Sequence, residues 1–200
     1  TECINGDQGI LIEKSFWKKS GKFDETLPFL EDRSFATVVE NKGSWLLLSP
    51  TIFTSSRRFF QEGLHQRQTL NSIIRNFHSA ERTDFISALP EIYKNQDKTQ
   101  KLKLNPFFRK IRSLFSELAV REQCRLWYQT GSYIAGNAWQ IAFFLDIKKE
   151  FKNGGVRGRR RLLKFHEIFI QKVVSSPPAA LITTCLVWGW FHFHYFNKKR

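Results

Sequence analysis

From Pro177 to Phe196 the chain runs for twenty residues without a formal charge, and no other feature limits its folding so strongly. At about 1.5 Å of rise per residue, a helix of that length covers roughly 30 Å, the thickness of a bilayer's hydrocarbon core. Trp188, Trp190 and Tyr195 crowd its C-terminal end as interfacial aromatics do, and Lys198, Lys199 and Arg200 close the chain. The stretch at 177–196 is therefore a candidate membrane span. Thr183, Thr184, His192 and His194 weaken that reading and leave open a buried hairpin helix of a soluble domain. Both flanks are positive, so the pattern sets no orientation.

Charge adds a second constraint. The formal net charge is +14, yet residues 1–60 carry 8 basic and 8 acidic groups, so the whole surplus lies beyond residue 60. Its densest run is Arg157, Arg159, Arg160, Arg161 and Lys164, just after the break at Gly154-Gly155. A basic cluster ahead of an apolar stretch is a membrane-surface pattern, and the expected partner is a membrane with anionic lipid. The aromatics around it repeat with a helix period rather than forming a stacking platform, so no nucleic acid is expected. Aromatic residues make up 15% of the chain, with 20 Phe, which excludes the composition of a disordered protein. Cys3, Cys124 and Cys185 are too few and too far apart for a disulfide framework or a zinc ribbon. The start at Thr1 and the absence of Met are expected of an excerpt or a processed product.

Hydrophobic periodicity divides the chain further. Strand-like runs at Gly9–Ile12 and Trp45–Leu48 flank helical stretches, among them Glu31–Lys42, which ends at the helix stop Gly43. That alternation predicts an α/β fold for residues 1–78. Apolar positions from Phe60 to Phe77 suit one amphipathic helix, and residues 79–106 read as a polar, basic linker with a short helix inside. Residues 107–200 then read as a mostly helical, membrane-associated region. It opens on a basic amphipathic helix built on Phe107, Phe108, Ile111, Leu114, Phe115 and Leu118 and expected along the membrane surface to about residue 128. His192 and His194 stand two apart, on opposite sides of a helix, and no metal site is expected from them.

The densest local motif is Gly21-Lys22-Phe23-Asp24-Glu25, followed by the adjacent carboxylates Glu31 and Asp32 at a helix start. Two acids there suit the helix dipole, and Asp32 alone reads equally well as a cap. The order and spacing resemble family 2 glycosyltransferases, which carry a Gly-Gly-Phe-Asp-Glu element and then a Glu-Asp pair. Gly6-Asp7-Gln8-Gly9-Ile10 and Thr54-Ser55-Ser56-Arg57-Arg58-Phe59, with Gly63 after it, extend the resemblance toward the radical-SAM/selenodomain-associated transferases. Lys22 stands where the family usually has its second Gly, Ser34 where an acidic or polar residue is frequent, and Val38 where a basic one is common.

The resemblance implies a nucleotide-diphospho-sugar transferase fold and the acceptor-side part of an inverting glycosyltransferase. Such an enzyme moves a sugar from a nucleotide-diphosphate donor to a hydroxyl acceptor. Asp32 would be the base and Glu31 its neighbour at the acceptor, with Asp7, Gln8, Asp24, Arg57 and Arg58 contacting substrate. A divalent ion, Mg or Mn, is expected in the intact enzyme, but its Asp-x-Asp ligand motif does not occur in this sequence. The chain by itself is accordingly expected to be inactive. The alternative is a non-enzymatic, basic, membrane-binding helical protein that retains a transferase-derived segment.

Overall fold

The computed structural model describes residues 9–44, 46, 48, 53–96, 101–154 and 160–197, the last three as backbone alone. Among these residues all the regular elements are helices, with no strand and no sheet. The α/β expectation is therefore corrected to an all-α fold, and the nucleotide-sugar transferase sheet goes with it. A strand gains stability only through a ladder partner and a covered face. Neither short run has one among the described residues: Leu11 is 88% exposed and Leu46 is 83% exposed, while Trp45 and Leu47 lie outside the described residues. A short apolar run reads as a strand on periodicity alone, and here residues 9–12, 46 and 48 lie in no regular element.

The chain divides into two compact units, Thr1–Phe107 and Phe108–Arg200. In the first, α1 (Lys14–Ser20) ends at Gly21, whose φ of 97° reverses the chain toward α2 (Glu31–Lys42). Phe23 meets Trp17 and Phe35 edge to face and Trp17 lies tilted against Phe35, with ring centroids 4.6–5.2 Å apart, which binds the turn to both helices. The helix read from Glu31 to Gly43 is α2, and it stops where expected because the Gly43 amide closes on the Val39 carbonyl at 2.8 Å.

The amphipathic segment after residue 56 is broken in two. Gly63, with φ of 89°, separates α3 (Arg57–Glu62) from α4 (Leu64–Ser79), so Phe60 and Leu64 are exposed and the buried stripe begins at Leu70. α4 and α5 (Thr83–Lys94) pack through Leu70, Ile74 and Phe77 against Phe85, Ile86 and Leu89, with Phe77 and Phe85 stacked at 4.2 Å. Burying each such side chain contributes about 1.5–3 kcal/mol.

In the second unit, α6 (Asn105–Ser116) and α7 (Val120–Gly136) replace the single surface helix expected over 107–128. α8 (Trp139–Lys152), α9 (Arg161–Phe165), a π-helical turn (His166–Ile170), α10 (Gln171–Val174) and α11 (Pro177–Asn197) follow. α7 and α11 form the main pair and run antiparallel. Gly131 lies against Ala180 and Thr184, while Trp127, one turn earlier, meets Phe191 edge to face at 5.5 Å. Phe108 and Phe115 of α6 close over the same cluster, at 5.5 Å from Phe191 and 4.9 Å from Trp127. Asp146 is buried on α8 and accepts the amides of Leu162 and Leu163 at 3.3 and 2.9 Å, tying the start of α9 to α8.

Candidate functional site

The turn between α1 and α2 is built by backbone geometry. Gly21 and Lys22 both have positive φ, 97° and 64°. The left-handed region costs a side chain roughly 1–2 kcal/mol, which accounts for glycine being the fitting residue at both positions. The chain then enters an Asx turn, in which the amide and hydroxyl of Thr26 donate to Asp24 Oδ1 at 3.0 and 2.5 Å. These hydrogen bonds, the hydroxyl's above all, hold the Asp24 carboxyl below its ordinary range. Leu30 is left-handed as well, at φ 64°, and turns the chain into α2.

The turn and the helix enclose an open cleft of about 610 Å³. One side is the 20–25 segment, and the other is Ser34, Phe35 and Val38 of α2. Asp24 lines it. Ser34 and Val38, the two α2 positions at which the chain departs from the transferase pattern, line it too. Glu31 and Asp32 sit in the first turn of α2, outside the lining residues, with Glu31 exposed and Asp32 half-buried. Arg57 and Arg58 begin α3 and are exposed; Arg58 Nε lies 3.8 Å from Glu62 Oε1. Asp7 and Gln8 fall outside the described residues. Of the site candidates read from the sequence, the cleft takes in Asp24 alone among the described residues.

Among the described residues no three His, Cys, Asp or Glu side chains come together in a way that would hold a metal ion. The divalent ion implied by the resemblance has no ligand set among the described residues, and no step below runs through it. His192 Nδ1 and His194 Nδ1 lie 2.8 and 3.2 Å from the carbonyl oxygens of Trp188 and Trp190, one turn back on α11.

Two further features lie outside the cleft. One is a polar cluster in the first unit: Arg67 Nη1 donates to Glu62 Oε2 at 3.3 Å and to Tyr93 Oη at 3.2 Å, and Tyr93 Oη donates to Glu62 Oε1. Its members stand 5 and 31 residues from Glu62, so no local spacing announces it. The other is the apolar surface of the second unit. Ile141 and Phe144 on α8, Phe165 on α9, Phe169 in the π turn, and Leu181, Ile182 and Leu186 on α11 are all exposed. No single helix among the described residues is long and apolar enough to cross a membrane. One bent pair, Arg161–Val174 with Pro177–His194 at 88°, meets the length and composition of a span.

No family model, curated protein or solved structure matches the chain.

Proposed function

We propose that the chain is a membrane-associated helical protein whose second unit binds bilayers containing anionic lipid. The observation that carries this reading is the apolar surface of α8, α9–α10 and α11 on the unit that also concentrates the charge. Residues 108–200 hold 17 Lys and Arg against 5 Asp and Glu. Soluble monomers seldom expose apolar area beyond a few hundred Å² in one patch. Burial in acyl chains offsets the cost of leaving it in water, and each Lys or Arg near an anionic surface adds about 1 kcal/mol. Flotation with phosphatidylcholine–phosphatidylserine vesicles tests it. Binding is expected to exceed that to phosphatidylcholine alone and to weaken with salt, and Phe169→Asp is expected to lower it about tenfold or more. Equal partitioning of the parent and Phe169→Asp proteins overturns the reading.

A second reading concerns the first unit, and the backbone of its α1–α2 turn supports it, although Asp32 lies outside the residues lining the cleft. Left-handed backbone at Gly21 and Lys22 falls where the resembled family has its glycine pair, and the cleft opens directly beneath. In that reading an acceptor hydroxyl loses its proton to Asp32 and attacks the anomeric carbon, forming a new C–O bond as the nucleotide diphosphate departs with the old bonding pair. Asp32→Asn keeps the shape and removes the proton acceptor. In the full-length protein, sugar transfer is expected to fall roughly 100-fold with donor binding retained. Unchanged transfer returns Glu31 and Asp32 to the role of acids suiting the helix dipole.

A further inference from the structure

The second unit is polarised end to end. Residues 126–145 contain no Asp, Glu, Lys, Arg or His, and neither do residues 173–191. The fold brings these two stretches together. α7 and α11 run antiparallel, and Gly131 meets Ala180 and Thr184, so the turn after α7 and the elbow before α11 lie at the same end of the pair. That end carries exposed Ile134, Ile141, Leu181 and Ile182. Beside the opposite end of α11, α7 begins with exposed Arg121, Glu122 and Arg125. Phe115 of the basic helix α6 also packs there on Trp127.

This polarity decides how deep the unit can go. From Pro177 to Phe191, ahead of His192 and His194, α11 runs fifteen residues without an Asp, Glu, Lys, Arg or His. That is about 22 Å of helix against a core of roughly 30 Å. Its other end is held beside the charged start of α7, which stays at water level. On the arm that meets α11 at 88°, Leu162, Phe165, Phe169 and Val173 recur every three or four residues and are exposed. Glu167 and Lys172 are exposed on the same arm, which suits an amphipathic segment that slants from the elbow back up to the headgroups.

We propose that the second unit enters an anionic bilayer from one side only. The α7–α8 turn and the α10–α11 elbow are its deepest points, and the charged helix ends, with Arg160, Arg161 and Lys164, stay in the headgroups of that same leaflet. The inference rests on the membrane reading and adds its depth and sidedness.

The test uses the full chain with Cys3, Cys124 and Cys185 changed to Ser, carrying one cysteine labelled with the fluorophore NBD. The cysteine is placed at Ser175, at Ser132 as an independent second position, or at Arg125 as the water-level reference. On phosphatidylcholine–phosphatidylserine vesicles, doxyl lipids are expected to quench the labels at 175 and 132. External dithionite should bleach them about tenfold more slowly than the label at 125, because the hydrocarbon region excludes the ion. Quenching of either tip label by iodide trapped in the lumen overturns the proposal in favour of a span. Bleaching of the tip labels as fast as at 125, on protein that floats with the vesicles, overturns it in favour of docking by another face. Failure to float at all, with the parent chain run alongside, removes the membrane reading itself.

Discussion

Gly131→Leu is expected to abolish the cooperative unfolding transition of the second unit, and Gly131→Ala to lower its stability. A β-carbon at this position would lie 2.1 Å from Thr184 Oγ1, 2.6 Å from the Thr184 amide nitrogen and 2.7 Å from the Ala180 carbonyl oxygen. Two of these three atoms are backbone and cannot rotate away, so the helices must separate. Separation also pulls Thr184 Oγ1 from the Trp127 carbonyl, 3.4 Å away, and loosens the edge-to-face contact of Trp127 with Phe191. Two effects oppose each other in the alanine variant. Removing a mid-helix glycine gains about 1 kcal/mol of helix propensity, whereas overpacking costs about 1–3 kcal/mol. With contacts this short the second wins, and the leucine variant, which adds three further carbons, should lose more than about 4 kcal/mol. Denaturant unfolding followed by tryptophan fluorescence reads the result, since Trp127 and Trp190 sit in the affected cluster. An alanine variant as stable as the parent would mean that the two helices stand further apart than the structure places them.

That pair also shows which parts of the fold a sequence reader can reach. The helix from Glu31 to Lys42 and the one from Pro177 were readable, because period, length and a terminal Gly or Pro mark them locally. The break at Gly63 was not, since apolar period continues across it and what interrupts the helix is backbone geometry, a φ of 89°. The supposed strands failed for a related reason. A strand is a property of two chain segments, and a short apolar run says nothing about its partner.

The candidate site divides along the same line. The turn at Gly21 and the acids at the start of α2 follow from neighbouring residues and appear where the sequence puts them. Whether Asp32 and Arg58 face one cleft depends on packing between elements, and the cleft instead collects Asp24, Ser34 and Val38. Arg58, chosen as a phosphate contact, approaches Glu62.

Glu62 is the residue on which the first unit's polar cluster turns, and Glu62→Ala is expected to cost about 3 kcal/mol or more. The side chains of Arg67 and Glu62 are 13% and 18% exposed, so removing the carboxylate leaves a mostly buried guanidinium with the Tyr93 hydroxyl and ring, whose centroid lies 5.7 Å from Arg67 Cζ. Arg58 belongs to the same carboxylate but is 65% exposed at 3.8 Å. Its replacement by Ala should therefore cost less than about 1 kcal/mol, as for other surface pairs. The cluster also carries a pH signature. Burial, and then the hydrogen bond to Glu62, raise the Tyr93 hydroxyl above its ordinary value of 10.0. The folded state thus holds that proton more tightly than the unfolded chain does. The stabilisation is fully present below pH 10, near the unfolded value, and is lost as pH rises through the folded one. Denaturant midpoints measured from neutral to strongly alkaline pH should fall along this limb in the parent, and Tyr93→Phe should flatten it while lowering the neutral-pH midpoint. If Glu62→Ala matches Arg58→Ala in cost, the cluster is a solvated surface network, and the packing of α4 on α5 carries the first unit without it.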